Sequence, residues 1–347
     1  MTPTDPYRRR LLAGALASPA LALAPRAAAD GAEGDERFAA AIRRAEGLDQ
    51  LHALVIADAG AVRVARAFRG PALARPANVK SVSKTLVALL TGIAIDKGVL
   101  PGTEATLAEM APELIPARAD PRVGAITLAD LLTMQAGLQR TSGANYGSWV
   151  QSSNWVADAL SRPMVAVPGQ RFLYSTGSFH ILGAVLARRS GRSLLALARA
   201  WIGGPLGIEI PPWTRDPQGY YLGGNNMALT PRGLARIGQA MLGEGMWQGR
   251  QVVSPAWLAR SWEPRTRSPF SGHDYGFGWF LAEAGAGAGG RATRVAYARG
   301  YGGQMLYVVP EGGITVAITS DPTRPGRSAG YVGALNRLLA DDILPAA

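Results

Sequence analysis

The sequence predicts an α/β fold of the α+β kind, with a sheet drawn from both ends of the chain and a helical stretch inserted between them. Three observations predict it. Runs of strand length and strand composition lie near residues 51–67 and again at 275–319. The stretch between, 101–262, is mainly helical in period, with turns at Pro163, Pro168-Gly169, Gly203-Gly204-Pro205 and Pro211-Pro212. A single apolar helix, 82–95, joins the first strands to that stretch.

Taken in order, residues 36–46 read as a helix, and the runs 51–56 and 62–67 around Asp58-Ala59-Gly60 read as a hairpin. The segment 82–95 is apolar on nearly all sides and is stopped by Asp96-Lys97-Gly98 and Pro101, so the helix should be buried. Beyond the helical stretch, 275–281, 293–299, 305–309 and 314–319 read as sheet strands, and a last helix begins near Gly330. The resulting division is an α/β domain made of 30–100 and 263–347, with 101–262 as a helical domain.

Residues 1–29 have the pattern of an export signal. Arg8-Arg9-Arg10-Leu11-Leu12 opens an apolar run to Ala24, and Ala27-Ala28-Ala29 offers a small-residue cleavage site. The run is shorter than the ~20 residues that span a bilayer. Paired arginines before x-Leu-Leu give it a twin-arginine character, and the expected location is periplasmic or secreted.

Composition narrows the function classes. A chain of 347 residues that is 48% hydrophobic can bury a large core. It has no cysteine, and its histidines, His52, His180 and His273, are scattered, so neither a disulfide, a thiolate nor a metal cluster is expected, and no cofactor is implied. The net charge of +11 comes from arginines spread along the chain, with no basic run interleaved with stacking aromatics. Nucleic acid is therefore not an expected partner; a small molecule is. Gly285-x-Gly287-x-x-Gly290 matches a dinucleotide pattern formally, but it lies in a glycine-alanine loop between strands with no helix after it.

The chemistry concentrates at Ser81-Val82-Ser83-Lys84. Only three lysines stand against 33 arginines, and one of them is a helical turn after a serine. Arginine stays protonated, whereas a lysine can be tuned to give up its proton. Positions i and i+3 share a helix face, and the first backbone N–H groups of a helix are unpaired, so one place offers nucleophile, base and an oxyanion donor. An ordinary lysine would be neutral in roughly one molecule in 2,500 at pH 7, so such a site must depress the pKa of Lys84, by burial above all.

Two further segments stand out. Pro168-Gly169-Gln170-Arg171-Phe172-Leu173-Tyr174-Ser175-Thr176-Gly177 is a turn entering a helix that should start near Ser178 and end at Gly191, which leaves Tyr174 on a loop at the helix mouth. Ala298-Arg299-Gly300-Tyr301-Gly302-Gly303-Gln304, between two strands, carries glycines where the backbone must come close to another object, a substrate being one candidate. Tyr146, Trp149 and Trp155 cluster on one segment, as the wall of an apolar substrate cleft or as a cap of the helical domain.

In this order and spacing, the three segments resemble the serine hydrolases of the class C β-lactamase and DD-peptidase superfamily, most of all its 6-aminohexanoate-dimer hydrolase and carboxylesterase branch. Leu131-Leu132-Thr133-Met134-Gln135-Ala136-Gly137-Leu138, Tyr220-Tyr221-Leu222-Gly223-Gly224, Leu229-Thr230-Pro231-Arg232-Gly233-Leu234-Ala235 and Tyr275-Gly276-Phe277-Gly278-Trp279 extend the resemblance over most of the chain. It implies a β-lactamase-like fold, with a central antiparallel sheet, flanking helices and an inserted all-helical domain. It also implies Ser81 as acyl-enzyme nucleophile, Lys84 as its base, Tyr174 as the tyrosine of the Tyr-x-Asn motif, Gly300 as the glycine of the Lys/His-Thr-Gly motif, and the N–H groups of Ser81 and Tyr301 as the oxyanion hole.

The departures set the expected substrate. Thr176 replaces the asparagine and Ala298-Arg299 the Lys-Thr or His-Thr pair, so the group that seats a β-lactam is missing, and Arg299 lies on a strand whose successive side chains alternate faces. An ester or linear amide needs only nucleophile, base and oxyanion hole. The expectation is an exported esterase or amidase with Thr176, Arg299, Gly300, Tyr146 and Trp149 around the substrate. The alternatives are a β-lactamase or peptidoglycan DD-peptidase, and a non-catalytic envelope binding module.

Overall fold

The computed structural model describes residues 35–286, 292–326 and 330–347. Residues 1–29 and Gly287 to Gly290 of the glycine-alanine loop lie outside the described residues. Helix α1 (Ala39–Glu46) buries Ala41, Ile42 and Ala45. Strands β1 (Leu51–Asp58) and β2 (Ala61–Ala67) pair as the expected hairpin. Ala59 and Gly60 both have positive φ, 47° and 80°, the two-residue turn whose twist matches that of the strands. Strand β3 (Ala77–Lys80) runs straight into α2 (Val82–Asp96), in which every side chain from Val82 to Ala94 is buried. Gly92 is required there: a Cβ would lie 2.2 Å from the Trp257 ring that packs on the helix.

Residues 101–262 form mostly short helices. The long one, α3 (Thr176–Ser190), starts two residues before the predicted Ser178 and ends as expected at Gly191, left-handed at φ 66°. This segment also returns to the sheet-bearing part of the molecule. Strand β4 (Met227–Leu229) pairs with β3, placing Leu229 opposite Ala77. Helix α4 (Pro231–Leu242) then lies on the sheet, where a Cβ on Gly238 would be 2.4 Å from Thr315. A small hairpin, β5 (Met246–Trp247) and β6 (Arg250–Gln251), leads to α5 (Pro255–Ser261).

The remaining strands are β7 (Thr266–Arg267), β8 (Asp274–Tyr275), β9 (Phe280–Ala286), β10 (Ala292–Gly300), β11 (Gln304–Val309) and β12 (Ile314–Ser320). The single strand predicted over 275–281 is therefore two. Gly276 accepts no side chain, since a Cβ would sit 2.1 Å from the Ser261 carbonyl, and Gly278 turns at φ 74° with its open side against Ala88 of α2. The sheet is antiparallel in the order β2-β1-β12-β11-β10-β9-β8-β7. One face carries Leu306 and Thr315 against α4. The other carries Val295, Tyr297 and Tyr307, which face the C-terminal segment that follows α6 (Tyr331–Arg337).

Candidate active site

The strand-to-helix turn before Ser81 is under local strain. Lys80 adopts φ 50°, a left-handed conformation that costs a non-glycine residue about 1 kcal/mol or more. Neighbouring bonds hold it there. The Lys80 N–H donates to Asn78 Oδ1 at 2.9 Å, while Ser83 Oγ donates to the Lys80 carbonyl at 2.6 Å and accepts the Met227 N–H at 3.0 Å. Strand β4 thus fixes the turn that presents Ser81.

Lys84 follows one helical turn later and is 2% exposed. Its Nζ lies 2.9 Å from Ser81 Oγ, 3.2 Å from Thr176 Oγ1 and 2.6 Å from the Gly224 carbonyl. Burial pulls its pKa down to about 7 from an ordinary 10.5, because the apolar surroundings penalise the ammonium. At neutral pH the amine and the ammonium are then of similar abundance. A neutral amine has two N–H donors and one lone pair. The Gly224 carbonyl can only accept, and Thr176 can accept while its own hydroxyl turns to Ser142 Oγ, 3.0 Å away. The lone pair is left for the Ser81 hydroxyl.

Tyr174 stands over this amine, with its ring centroid 5.0 Å from Nζ. Its loop is anchored by the Leu173 N–H to the Met134 carbonyl at 2.7 Å, and by Ser175 Oγ, which accepts the Thr141 N–H. Thr176, assigned to the substrate from the sequence, is buried in the first turn of α3 and bonds Lys84 instead.

The Gly224 carbonyl reaches Lys84 because Gly223 and Gly224 lie flat on the start of α3. A Cβ on Gly223 would be 2.1 Å from the Phe179 carbonyl, and one on Gly224 2.8 Å from that of Thr176. Behind them a buried pair holds the loop. His180 Nε2 is 3.0 Å from Asp216 Oδ2, Asp216 Oδ1 accepts the Tyr220 N–H at 2.8 Å, and His180 Nδ1 faces the Gly223 N–H at 3.5 Å. With Nδ1 accepting, the ring proton sits on Nε2 and is donated to Asp216. Trp149 and Trp155 pack edge-on against His180, each at 5.7 Å.

Trp149 is 0% exposed, so its ring belongs to this core and not to a cleft wall. Tyr146 is half-buried, and its hydroxyl accepts from Asn225 Nδ2 at 3.1 Å; burial raises its pKa.

On the strand side, Gly300 ends β10. The object its backbone approaches is strand β3: a Cβ would be 2.4 Å from the Val79 carbonyl and 3.0 Å from Lys80 Cβ. Gly302 and Gly303, both at positive φ, make room for the Asp321 carbonyl and the Tyr331 ring. These glycines serve chain-to-chain approach; Tyr301, which follows Gly300, is 54% exposed. Ala298 lies on the α4 face of the sheet. Arg299 shares the opposite face with Tyr297, which stacks on Phe280, so the two positions of the third motif point apart.

Sequence reasoning missed Gly224, Ser142, His180 and Asp216. The adjacent glycines 223 and 224 were the one available signal, because a backbone acceptor leaves no residue type of its own.

A half-buried serine beside a buried lysine at the mouth of a helix, next to β3 and a loop tyrosine, is an arrangement that suits a serine hydrolase of the β-lactamase fold. The Beta-lactamase family profile matches residues 52–341, and the chain belongs to that family. No curated protein sequence matches it. Among solved structures it resembles a Bacillus anthracis protein described as a 6-aminohexanoate-dimer hydrolase, with a TM-score of 0.71 and 18% identity over 84% of this chain and 78% of that one. It also resembles EstCE1, a hydrolase with promiscuous acyltransferase activity, with a TM-score of 0.71 and 21% identity over 88% and 97% of the two chains. A penicillin-binding protein homologue from Caulobacter crescentus matches with a TM-score of 0.67 and 20% identity over 88% and 97%. At these identities the likeness is one of fold. Among the described residues, no helix is long and apolar enough to cross a membrane.

Proposed function

We propose that this protein is an exported hydrolase that cleaves an ester or a linear amide through an acyl-enzyme on Ser81. The observation that carries the reading is the 2.9 Å contact between Ser81 Oγ and an amine that burial holds at a pKa of about 7. The Lys84 lone pair takes the Ser81 proton as Oγ attacks the carbonyl carbon. The N–H groups of Ser81 and Tyr301 receive the oxyanion. Tyr174, whose ring lies over the Lys84 amine, gives its hydroxyl proton to the departing oxygen or nitrogen and takes back the one that Lys84 received from Ser81. A water then enters, loses its proton by the same route in reverse, and releases the acid.

The β-lactamase and peptidase alternatives are disfavoured by Ala298, which brings no cation to the α4 face of β10. The tuned lysine argues against a non-catalytic module, since burying an amine without using it only destabilises the fold. Export rests on the arginine-led signal within residues 1–29.

A fluorophosphonate probe followed by peptide mapping tests the nucleophile. Label on Ser81, and loss of both label and p-nitrophenyl butyrate hydrolysis in Ser81→Ala, are expected, with the melting temperature nearly unchanged. Activity that survives in Ser81→Ala sinks the reading. For export, Arg8→Lys with Arg9→Lys should keep the protein in the cytoplasm; normal export of that variant points to the general secretory route.

A further inference from the structure

Lys84 meets three oxygens, and they differ in what they can do with a proton. Its ammonium form has three N–H donors, one each for Ser81 Oγ, Thr176 Oγ1 and the Gly224 carbonyl. One of those protons must leave before the nitrogen can serve as a base. The Gly224 carbonyl accepts a hydrogen bond but has no proton of its own to hand on. Ser81 Oγ has one only while it is free, since in an acyl-enzyme it becomes an ester oxygen. Thr176 is different: a hydroxyl accepts and donates on one oxygen, whatever Ser81 carries. An asparagine, which the family resemblance would place at position 176, accepts on oxygen and donates from nitrogen, and cannot relay a proton in this way.

From Thr176 the hydroxyls continue outward. Thr176 Oγ1 lies 3.0 Å from Ser142 Oγ, which also accepts the Thr176 N–H at 2.9 Å. That N–H and the Thr176 hydroxyl occupy both lone pairs of Ser142, so its own proton points away from Thr176. Burial falls along the same line. Lys84 and Thr176 are 2% and 3% exposed, Ser142 is half-buried, and Gly143 and Ala144 after it are exposed. Backbone bonds fix the two hydroxyls: the Gly177 N–H donates to Thr141 Oγ1 at 2.7 Å, and the Thr141 N–H to Ser175 Oγ at 3.1 Å. We propose that Thr176 and Ser142 form a proton path that joins Lys84 to solvent while Ser81 is acylated or covered by substrate. An ammonium proton passes to Thr176 Oγ1, the Thr176 proton to Ser142 Oγ, and the Ser142 proton to a water or buffer base. One N–H and two O–H bonds break, two O–H bonds and a bond from hydrogen to the acceptor form, and the positive charge leaves with the acceptor. Rotation of the two hydroxyls then resets the line. In the reaction proposed above, on which its use in turnover rests, the path discharges an acyl-enzyme whose Lys84 has taken up a proton. Burial holds Lys84 near 7, so the charged form is present at neutral pH.

Proton exchange at the amine tests the path directly. The chain has only three lysines, so a heavy-nitrogen label on lysine Nζ reports by NMR on Lys80, Lys84 and the exposed Lys97 alone. Ser81→Ala removes the Ser81 outlet and is the reference protein. In that background Thr176→Val and Ser142→Ala should each slow exchange of the Lys84 protons with solvent by at least about tenfold, as the loss of a positioned proton carrier does. Ser142→Ala is the more telling of the two, because Ser142 makes no bond to Lys84 and the amine keeps its own partners. Thr176→Ser and Ser142→Thr keep the hydroxyls and should stay within about twofold of the reference, and Lys97 should not change in any variant. Lys84 exchange that is unaltered in either Thr176→Val or Ser142→Ala overturns the path. With Ser81 intact, Ser142→Ala should lower kcat for p-nitrophenyl butyrate by about tenfold, and free imidazole should restore it beyond the ester that imidazole cleaves unaided. A wild-type kcat in Ser142→Ala, or a lowered one that imidazole leaves unchanged, overturns the role in turnover. The exchange result is read without catalysis, so it decides the path even if the wild type cleaves no ester, an outcome that would instead sink the hydrolase reading.

Discussion

The helix side and the strand side of Ser81 are built in opposite ways. On the helix side, Lys84 is enclosed and its nitrogen meets Ser81, Thr176 and Gly224 at 2.9, 3.2 and 2.6 Å. Each partner is itself held, Thr176 by Ser142 and Gly224 by the loop behind which His180 and Asp216 are buried. On the strand side the chain has removed side chains: Gly300 lets β3 lie against β10, Ala298 is a methyl group, and Tyr301 faces solvent. In the reaction proposed above, proton transfer is assigned to the enclosed network and substrate choice to a side with few fixed polar groups.

The largest loss is expected at Lys84. Lys84→Met should lower kcat/KM for p-nitrophenyl butyrate by about 10³-fold, within the range of a lost general base. In the wild type the same rate should fall as the pH drops below about 7, when Lys84 takes up a proton. Stability gives a second readout. The folded pKa lies below the ordinary 10.5, so the folded state resists the proton, and the destabilisation by Lys84 is full below pH 7 and relieved between 7 and 10.5. The melting temperature of Lys84→Met minus that of the wild type should therefore shrink across that window. A gap independent of pH would mean that the amine is not buried as described.

Gly300→Val tests the strand side. With a Cβ 2.4 Å from the Val79 carbonyl, β3 must move, and displacing Ser81 by about 1 Å is expected to cost about 10²-fold in kcat. Wild-type kcat in a folded Gly300→Val protein would show that β3 and β10 do not set the position of Ser81.

Asp216→Asn sharpens the helix side. Asp216 accepts from both His180 and Tyr220, and an asparagine has only one oxygen to offer. Loosening the Gly223–Gly224 loop should lower kcat about tenfold with KM within about twofold, and should shift the acid limb of the pH profile. Unaltered kcat and acid limb with a lower melting temperature would make the pair a packing device alone.

Ala298→Lys is the mildest change. Wild-type kcat/KM for p-nitrophenyl butyrate should exceed that for nitrocefin by at least about tenfold, and the new cation should narrow the gap by up to about tenfold, as one charged hydrogen bond can. A wild-type preference for nitrocefin would reverse the assignment of substrate class.

The hairpin, α2, three of the later strands and the Ser81–Lys84 spacing were legible in the sequence, because apolar periodicity, turn residues and the i, i+3 relation are local, whereas Tyr174 joined that pair only through the family resemblance. What was not legible depends on distant chain. The run 275–281 is apolar throughout, and its break at Gly276 and Gly278 follows from the Ser261 carbonyl and Ala88. Trp149 became core because Trp155 and His180 enclose it. Thr176 looked like a substrate contact until the burial of Lys84 put an amine 3.2 Å from it.

The pairing of β1 with β12 places Leu54 opposite Ile318, so the first hairpin of the chain finds its second neighbour in the last strand. The edge of β1 that β12 covers is unpaired until that distant strand has docked. Closing such a sheet is slow, because the entropy of a very long loop must be lost before its contacts form. Without its last strand the sheet is left with the long apolar edge of β1 unpaired, so truncation before Ile314 is expected to turn this protein towards aggregation.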